Sequence, residues 1–146
     1  MAALIRAAFA AQSAVTDPLP SALRVTDADV AAHLRTGAGA VAEAANQPVG
    51  AALWVDQDGG LYLSRLAVHP AWRGRGIAKA LVAAAESAAR AIGLPRVHLS
   101  TRLVLLDNRR LFAGRGCVET TRETHPGYAE PTFVNMEKTL DATETL

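Results

Sequence analysis

The chain has a single cysteine, Cys117, and only seven aromatic residues (two Trp, two Tyr, three Phe) among its 146 residues. One thiol can form neither an intrachain disulfide nor a cysteine-based metal site, and its natural setting is a reducing compartment, read as the cytoplasm. Few aromatics leave little to stack against single-stranded nucleic acid. Neither sign of charge is in excess: 15 Lys and Arg stand against 14 Asp and Glu, a net charge of +1. Neither nucleic acid nor an anionic membrane is therefore expected as a principal partner. No apolar run approaches the ~20 residues that cross a bilayer, and no internal repeat or low-complexity tract stands out beyond an alanine bias. The stretch from Met1 to Thr16 contains Arg6 and no acid, as export peptides do. Gln12, however, ends its apolar run short of the roughly 7–15 residues of a signal core. Leu4, Ile5, Ala8, Phe9 and Ala11 instead fall at helical spacing.

What is present is a core-forming composition. Half of the residues are apolar, which suits one domain over residues 1–146. After the first helix, Asp17-Pro18-Leu19-Pro20 is a rigid connector, and Thr26 precedes Asp27-Ala28-Asp29 as the cap of a second helix whose buried side is Val30, Ala31 and Leu34, stopped by Gly37. Strands are expected over Ala40 to Ala44, Val49 to Val55 and Leu61 to Val68, separated by Asn46-Gln47-Pro48 and Asp58-Gly59-Gly60. A helix from Gly76 to Ile92 places Ile77, Leu81, Ala84, Ala85, Ala88 and Ile92 on one side. Arg96 to Ser100 follows as a parallel strand, then a helix from Asp107 to Arg115 and a strand pair, Val118 to Thr124 and Thr132 to Leu140. The class is α+β, centred on a mixed sheet.

The most informative segment is Leu66-Ala67-Val68-His69-Pro70-Ala71-Trp72-Arg73-Gly74-Arg75-Gly76-Ile77-Ala78-Lys79, a strand leading through a Gly- and Arg-rich turn into an Ala-rich helix. The two glycines permit a tight turn and close backbone approach. The first helical amides lack intrahelical acceptors, and the helix dipole adds roughly half a positive charge there. With Arg73, Arg75 and Lys79 alongside, this is an anion site suited to a diphosphate.

Val68-His69-Pro70, then Arg73-x-x-Gly76-x-Ala78 opening a helix, resembles the acyl-CoA loop of the GNAT superfamily of N-acyltransferases. Asn108 to Phe112, followed by Gly116-Cys117, resembles the family's distal element of an Asn, a short helix, an aromatic and a strand-opening glycine. The resemblance covers most of the chain from Gly37 to Leu140. It implies a three-layer fold, with a mostly antiparallel central sheet, two splayed parallel strands and helices on both faces. It further implies an acetyl-CoA-dependent transfer to a primary amine of a small molecule or protein, by direct attack in a ternary complex. Carried over by position, the backbone from Arg73 to Lys79 (Arg73, Gly74, Arg75, Gly76, Ile77, Ala78, Lys79) binds the pyrophosphate. Leu66, Ala67 and Val68 pair with the pantetheine arm, the Val68 amide polarises the thioester carbonyl, and Asn108 and Phe112 line the cofactor's sulfur side. The resemblance also allows a homodimer. His125-Pro126-Gly127-Tyr128 followed by Pro131-Thr132 is similar to a bacterial subgroup.

Four departures accompany the resemblance. Members usually begin with a strand and this chain with a helix, so that edge strand is either absent or encoded upstream. Phe112 stands where many members have a tyrosine that protonates the leaving thiolate, and Cys117 replaces the usual Phe, a change of packing. The strand Leu61 to Val68 also lacks the glutamate that many members use to accept the amine's proton. At pH 7 about 0.04% of a lysine-like amine is neutral, against roughly 10% of an α-amino group, a difference of ~3 kcal/mol that a base must offset. Either an acceptor of lowered pKa is therefore favoured, or the proton leaves through water and a residue such as His125 or Glu43. Tyr128, on a turn that could fold over the sheet opening, is the candidate acid; Tyr62, in a strand, is read as packing.

Plainer roles compete at several positions. Asn108 could serve only as a helix cap, His33 as a surface residue, and His69 and His98 as structural residues. Trp54 and Trp72 read as packing, and Arg109, Arg110 and Arg115 as a solvated helix face that could reach the cofactor's outlying phosphate. The competing function from another class is a non-catalytic acyl-CoA-binding sensor or partner subunit, which the missing tyrosine and glutamate both permit. No metal site is expected.

Overall fold

The computed structural model describes residues 1–12 and 16–140. In chain order the elements are α1 (Ala2–Ala10), a 3-10 turn (Ser21–Arg24), α2 (Asp27–Thr36), β1 (Ala38–Ala44), β2 (Gln47–Gln57), β3 (Gly60–Val68), α3 (Ile77–Ala91), β4 (Arg96–Arg102), α4 (Leu106–Gly114), β5 (Val118–Glu123) and β6 (Phe133–Thr139). They build one six-stranded sheet in the order β1-β2-β3-β4-β6-β5. Only β3 and β4 run parallel. The expected α+β class and element order hold.

Side-chain alternation along the strands divides the protein into two layers of core. Ala52 and Trp54 of β2, Leu61 and Leu63 of β3, Val97 and Leu99 of β4, and Val134 and Met136 of β6 pack with α3 and with Phe112 of α4. Leu53 and Ala67 point the other way, against Ile5 and Ala8 of α1 and Val30 of α2. Helices thus cover both faces at β2 and β3.

The helix stripes differ from expectation in detail. On α3 the buried face is Leu81, Val82, Ala85, Glu86 and Ala89, while Ile92 is 63% exposed just past the helix end. Ile77, Ala84 and Ala88 of the expected stripe are half-buried beside this face, and Glu86 is buried because two cations reach it. On α2 only Val30 is buried, with Ala31 and Leu34 facing outward. Ala11 lies past the end of α1 and is exposed. The hairpin between β1 and β2 turns at Ala45 and Asn46, both at positive φ, so that Gln47 and Pro48 already belong to β2. Thr26 and Asp29 form the expected box at the start of α2, each side chain accepting the other residue's backbone N–H.

Two packing details set the site. Residues 50–53 pair with 68–65 and residues 54–57 with 63–60, so Ser64 is an extra residue bulged out of β3. The bulge reverses the strand's phase. Leu61 and Leu63 face α3, yet beyond Ser64 it is Leu66 that packs on that side and Ala67 that faces α1. The second detail is Gly50: a Cβ there would lie 2.6 Å from Ile77 Cγ2 and 3.1 Å from Leu81 Cδ1, so its absence lets the start of α3 settle against β2. No described helix is long and apolar enough to cross a membrane.

Candidate active site

The parallel pairing of β3 and β4 ends after Leu61–Val97 and Tyr62–His98, and beyond it the strands part. On the other edge of β3 the ladder to β2 continues to Gly50–Val68, and the His69 N–H donates to the Val49 carbonyl at 2.8 Å. Bonded and non-bonded pairs alternate along an antiparallel ladder. The pairs of Val68 with Gly50 and Leu66 with Ala52 are the non-bonded ones, so the N–H and C=O of Val68 and Leu66 point into the gap. Ala67 belongs to the bonded set, which corrects its expected backbone pairing with pantetheine; its side chain lines the gap instead.

At the end of β3, His69 Nδ1 accepts the Ala71 N–H at 3.1 Å, which makes it a structural turn residue as expected. Gly74 and Gly76 sit at φ of 77° and 80°, a region that favours glycine. Gly76 is the N-cap of α3, and no side chain caps that end. The first helical amide to find an acceptor is that of Ala80, on Gly76 at 3.1 Å. The amides of Ile77, Ala78 and Lys79 consequently have no intrahelical partner. Arg75 lies over the Trp72 ring, 4.5 Å from its centroid. Arg73 departs from expectation: its guanidinium donates to the carbonyls of Ala11 (2.6 Å) and Ala8 (2.9 Å) and so binds the C-terminal end of α1. These bonds occupy two of its five N–H donors, and Arg73 still lines the smaller cavity beside the loop.

Two cavities open at the splay. One, of about 220 Å³, is lined by Val68, Arg73 and Ala78 on the loop side and by Asp107, Asn108 and Leu111 of α4. The other, of about 340 Å³, passes between the strands and is lined by Tyr62, Ser64 and Arg65 of β3, Ser100 and Arg102 of β4, and Phe112 and His125. Phe9, Gln12, Leu66, Leu105 and Asn108 line both. Asn108 thus lies where the two cavities meet, whereas buried Phe112, expected beside the cofactor, lines only the larger one.

His125 lines the larger cavity. Its backbone N–H donates to Thr132 Oγ1 at 3.0 Å, its Nδ1 bonds the same hydroxyl, and its ring meets Phe133 edge-on at 4.9 Å. Burial, and then the nearby positive charge of Arg102, lower its pKa from the ordinary value. Tyr128 does not fold over the opening: its hydroxyl donates to Asp17 at 2.5 Å, and it lines neither cavity. That bond raises its pKa, so it is a weak proton donor in the wrong place. Glu43 is exposed on the edge strand β1, away from both cavities. Tyr62, expected only to pack, does stack near His98 (5.1 Å between centroids) but also lines the larger cavity.

The arginines of α4 are occupied. Arg109 makes a bidentate pair with Glu119 (2.7 and 3.0 Å), Arg110 lies 3.6 Å from Asp107, and Arg115 pairs with buried Glu86 at 2.5 Å. His33 is more than a surface residue, since its Nε2 lies 3.0 Å from the Trp54 carbonyl. His98 Nε2 lies 2.8 Å from the Gln57 carbonyl, a structural bond as expected. Cys117 is buried in the core, with its thiol pKa raised by burial and by Glu86. Among the described residues no three His, Cys, Asp or Glu cluster as a metal site. Arg65, Arg102 and the Ser64 bulge were not singled out from the sequence; in a regular strand Arg65 would share the inward face of Leu61 and Leu63, and only the bulge turns it away.

The comparisons agree with this geometry. A GCN5-related N-acetyltransferase from Rhodopseudomonas palustris superposes with a TM-score of 0.77 at 26% identity, over 95% of this chain and 87% of its own. The Escherichia coli ribosomal-protein-S18-alanine N-acetyltransferase gives 0.68 at 16% identity, over 79% and 77%. A GNAT family acetyltransferase from Elizabethkingia anophelis, solved with acetyl-CoA bound, gives 0.65 at 14%, over 79% and 84%. No curated protein matches the sequence. The model of the Acetyltransferase (GNAT) family matches residues 5–117, a span from α1 through the anion loop and α4, and the chain belongs to that family.

Proposed function

We propose that the protein transfers the acetyl group of acetyl-CoA to a primary amine by direct attack, with the donor in the smaller cavity and the acceptor in the larger. The observation that carries this reading is the common wall of the two cavities at Phe9, Gln12, Leu66, Leu105 and Asn108. A module that only bound acyl-CoA would need no second cavity opening onto the first.

The residues present fit the donor. The uncapped amides of Ile77, Ala78 and Lys79 suit a diphosphate, with Arg75 and Lys79 adding charge. The backbone groups of Leu66 and Val68 that face the gap suit an amide-bearing pantetheine arm. Bound there, acetyl-CoA supplies an activated acetyl thioester. The Val68 N–H is a fixed donor toward charge developing on the carbonyl oxygen, the kind of preorganised group that lowers such barriers most.

His125 is the proton acceptor of this reading. Among the described residues the larger cavity has no Asp or Glu in its lining, and His125 is the lining group whose neutral form is basic near pH 7. Its lowered pKa keeps it neutral there. With Nδ1 on Thr132, Nε2 is the nitrogen that takes the proton. Neither expected position offers the thiolate a proton, since Phe112 has no hydroxyl and Tyr128 is held by Asp17 outside both cavities. A thiol of reference pKa ~8.5 can depart with little assistance. The buried reduced thiol of Cys117 supports a cytoplasmic setting, and β5, exposed along its whole length at the sheet edge, is where a second copy could pair to form a homodimer.

The test is thermal unfolding with acetyl-CoA, CoA and ATP, on the wild type and on Gly76→Glu, followed by an amine screen for CoA release. Ligand at about 100 times its Kd adds ~2.7 kcal/mol. A shift with acetyl-CoA and CoA that is lost in the variant is expected; no shift with any of the three would refute the reading.

A further inference from the structure

The larger cavity is asymmetric in charge. Among the described residues its lining contains Arg65 and Arg102 and no carboxylate. Arg65 follows the Ser64 bulge, which turns it from the α3 side toward the connector after α1. There its Nη2 donates to Ser21 Oγ at 3.0 Å and its Nη1 to the Ser64 carbonyl at 3.1 Å. Arg102 ends β4 and donates from Nη1 to the Pro18 carbonyl of the same connector. Both residues lie beyond the last β3–β4 pair, one on each side of the splay. Each guanidinium has five N–H donors, and these bonds occupy only two of Arg65's and one of Arg102's.

No nearby acid forms an ion pair with either arginine: the charge of Asp17 reaches Arg102 only from beyond ion-pair distance, and Asp17 accepts the Tyr128 hydroxyl and does not line the cavity. On the adjoining open sheet face Glu137 pairs with Arg96 at 3.1 Å, and Glu123 accepts from Asn135 Nδ2. Among the described residues, neither Arg65 nor Arg102 has a carboxylate at ion-pair distance. Two tethered, partly buried guanidiniums with donors to spare are suited to a planar anion. In the remaining wall Phe9, Tyr62, Phe112 and Phe133 supply aromatic surface and Leu63, Leu66 and Leu99 aliphatic surface, among the polar side chains of Ser64, Ser100 and Thr101.

We propose that Arg65 and Arg102 recognise a carboxylate on the acceptor, so that the amine acetylated by this protein belongs to an amino acid with an apolar, aromatic-sized body. The proposal rests on the reading of the larger cavity as the acceptor site. It identifies these arginines as specificity-determining, with no part in proton transfer. The carboxylate lies between the two strands, the ring against Phe133 and Tyr62, and the amine toward the wall shared with the donor cavity.

The test separates this claim from the acetyltransferase reading. Calorimetric titration compares 3-phenylpropionate with its neutral amide, with and without CoA, on the wild type, Arg65→Gln and Arg102→Gln. The carboxylate is expected to bind at least tenfold more tightly than the amide, and each variant to lose at least threefold of that preference while its thermal response to CoA is unchanged. Equal binding of acid and amide, or no binding of the acid, overturns the proposal without touching the CoA result. A preserved acid preference with no response to CoA sustains the arginine pair and sinks the acetyltransferase reading instead. In turnover, phenylalanine is expected to exceed phenethylamine at least tenfold in kcat/KM, chiefly through KM, and the reverse order overturns the proposal. Because the wild-type comparison needs no variant, misfolding of either variant does not remove the test.

Discussion

The Nη2 of Arg73 donates to the carbonyl of Ala8 at 2.9 Å, joining the turn ahead of α3 to the last turn of α1. A cation at a helix C-terminus interacts favourably with both the dipole and the orphan carbonyls. Since Phe9 and Gln12, which close both cavities, hang from this end of α1, the bond couples the donor loop to the acceptor roof. Replacing Arg73 by Ala should cost about 1 kcal/mol of stability and raise acceptor KM more than the Kd of CoA. Equilibrium unfolding and steady-state kinetics check this, and a variant that lost only CoA affinity would return the guanidinium to the diphosphate.

Glu86 is buried on α3, with Arg115 Nη2 at 2.5 Å and Lys138 Nζ at 2.7 Å. Burial pushes its pKa up, and the bonds from Lys138 and Arg115 together outweigh it, leaving the carboxyl below its ordinary value. A carboxyl lowered in the folded state contributes stability that is complete above its unfolded pKa, ~4.3, and is lost as pH falls through the folded value. Glu86→Gln should therefore cost about 3 kcal/mol at pH 7 and flatten the acid limb of stability. Urea titrations between pH 7 and pH 3 measure both effects.

Gly50 leaves room for the start of α3. A methyl group there would stand 2.6 Å from Ile77 Cγ2 and must push the helix outward. Gly50→Ala should lose about 1–3 kcal/mol and weaken CoA binding, because the displaced turn carries the free amides. Calorimetric titration of CoA tests the second claim, and unchanged affinity would uncouple the helix seat from the anion site.

For His125 the sign follows from burial and the neighbouring Arg102, which lower its pKa. Acting as a base, it should place the acid limb of the kcat/KM profile below pH ~6.5. His125→Gln should abolish that limb and reduce kcat about 100-fold. Tyr128→Phe, by contrast, should change kcat less than about threefold, because its hydroxyl is committed to Asp17 outside the cavity. A large loss in the phenylalanine variant would restore the tyrosine to the mechanism.

Much of this was legible in the residues because it is local. Gly74, Gly76 and the Ala-rich run after them specify a left-handed turn and a helix start whatever surrounds them, and Thr26 with Asp29 does the same for α2. The proposed cofactor half of the site is built from such backbone features: the residues from Gly76 to Lys79 could be read from the sequence itself, and Leu66 and Val68 from the family resemblance. The acceptor half was not legible. The Ser64 bulge has no local signature, and through it Arg65 changes side; Tyr128 was separated from the site by Asp17, 111 positions away.

The sequence by itself determined the element order, the α+β class and the anion loop, because these follow from periodicity, caps and glycine conformations within a few residues. Tertiary structure alone decided which face of α3 is buried, where Arg73 points, and that Arg65, Arg102 and His125 share one cavity. Those outcomes depend on where β3 and β4 separate and on which distant carbonyl or carboxylate claims each charged side chain.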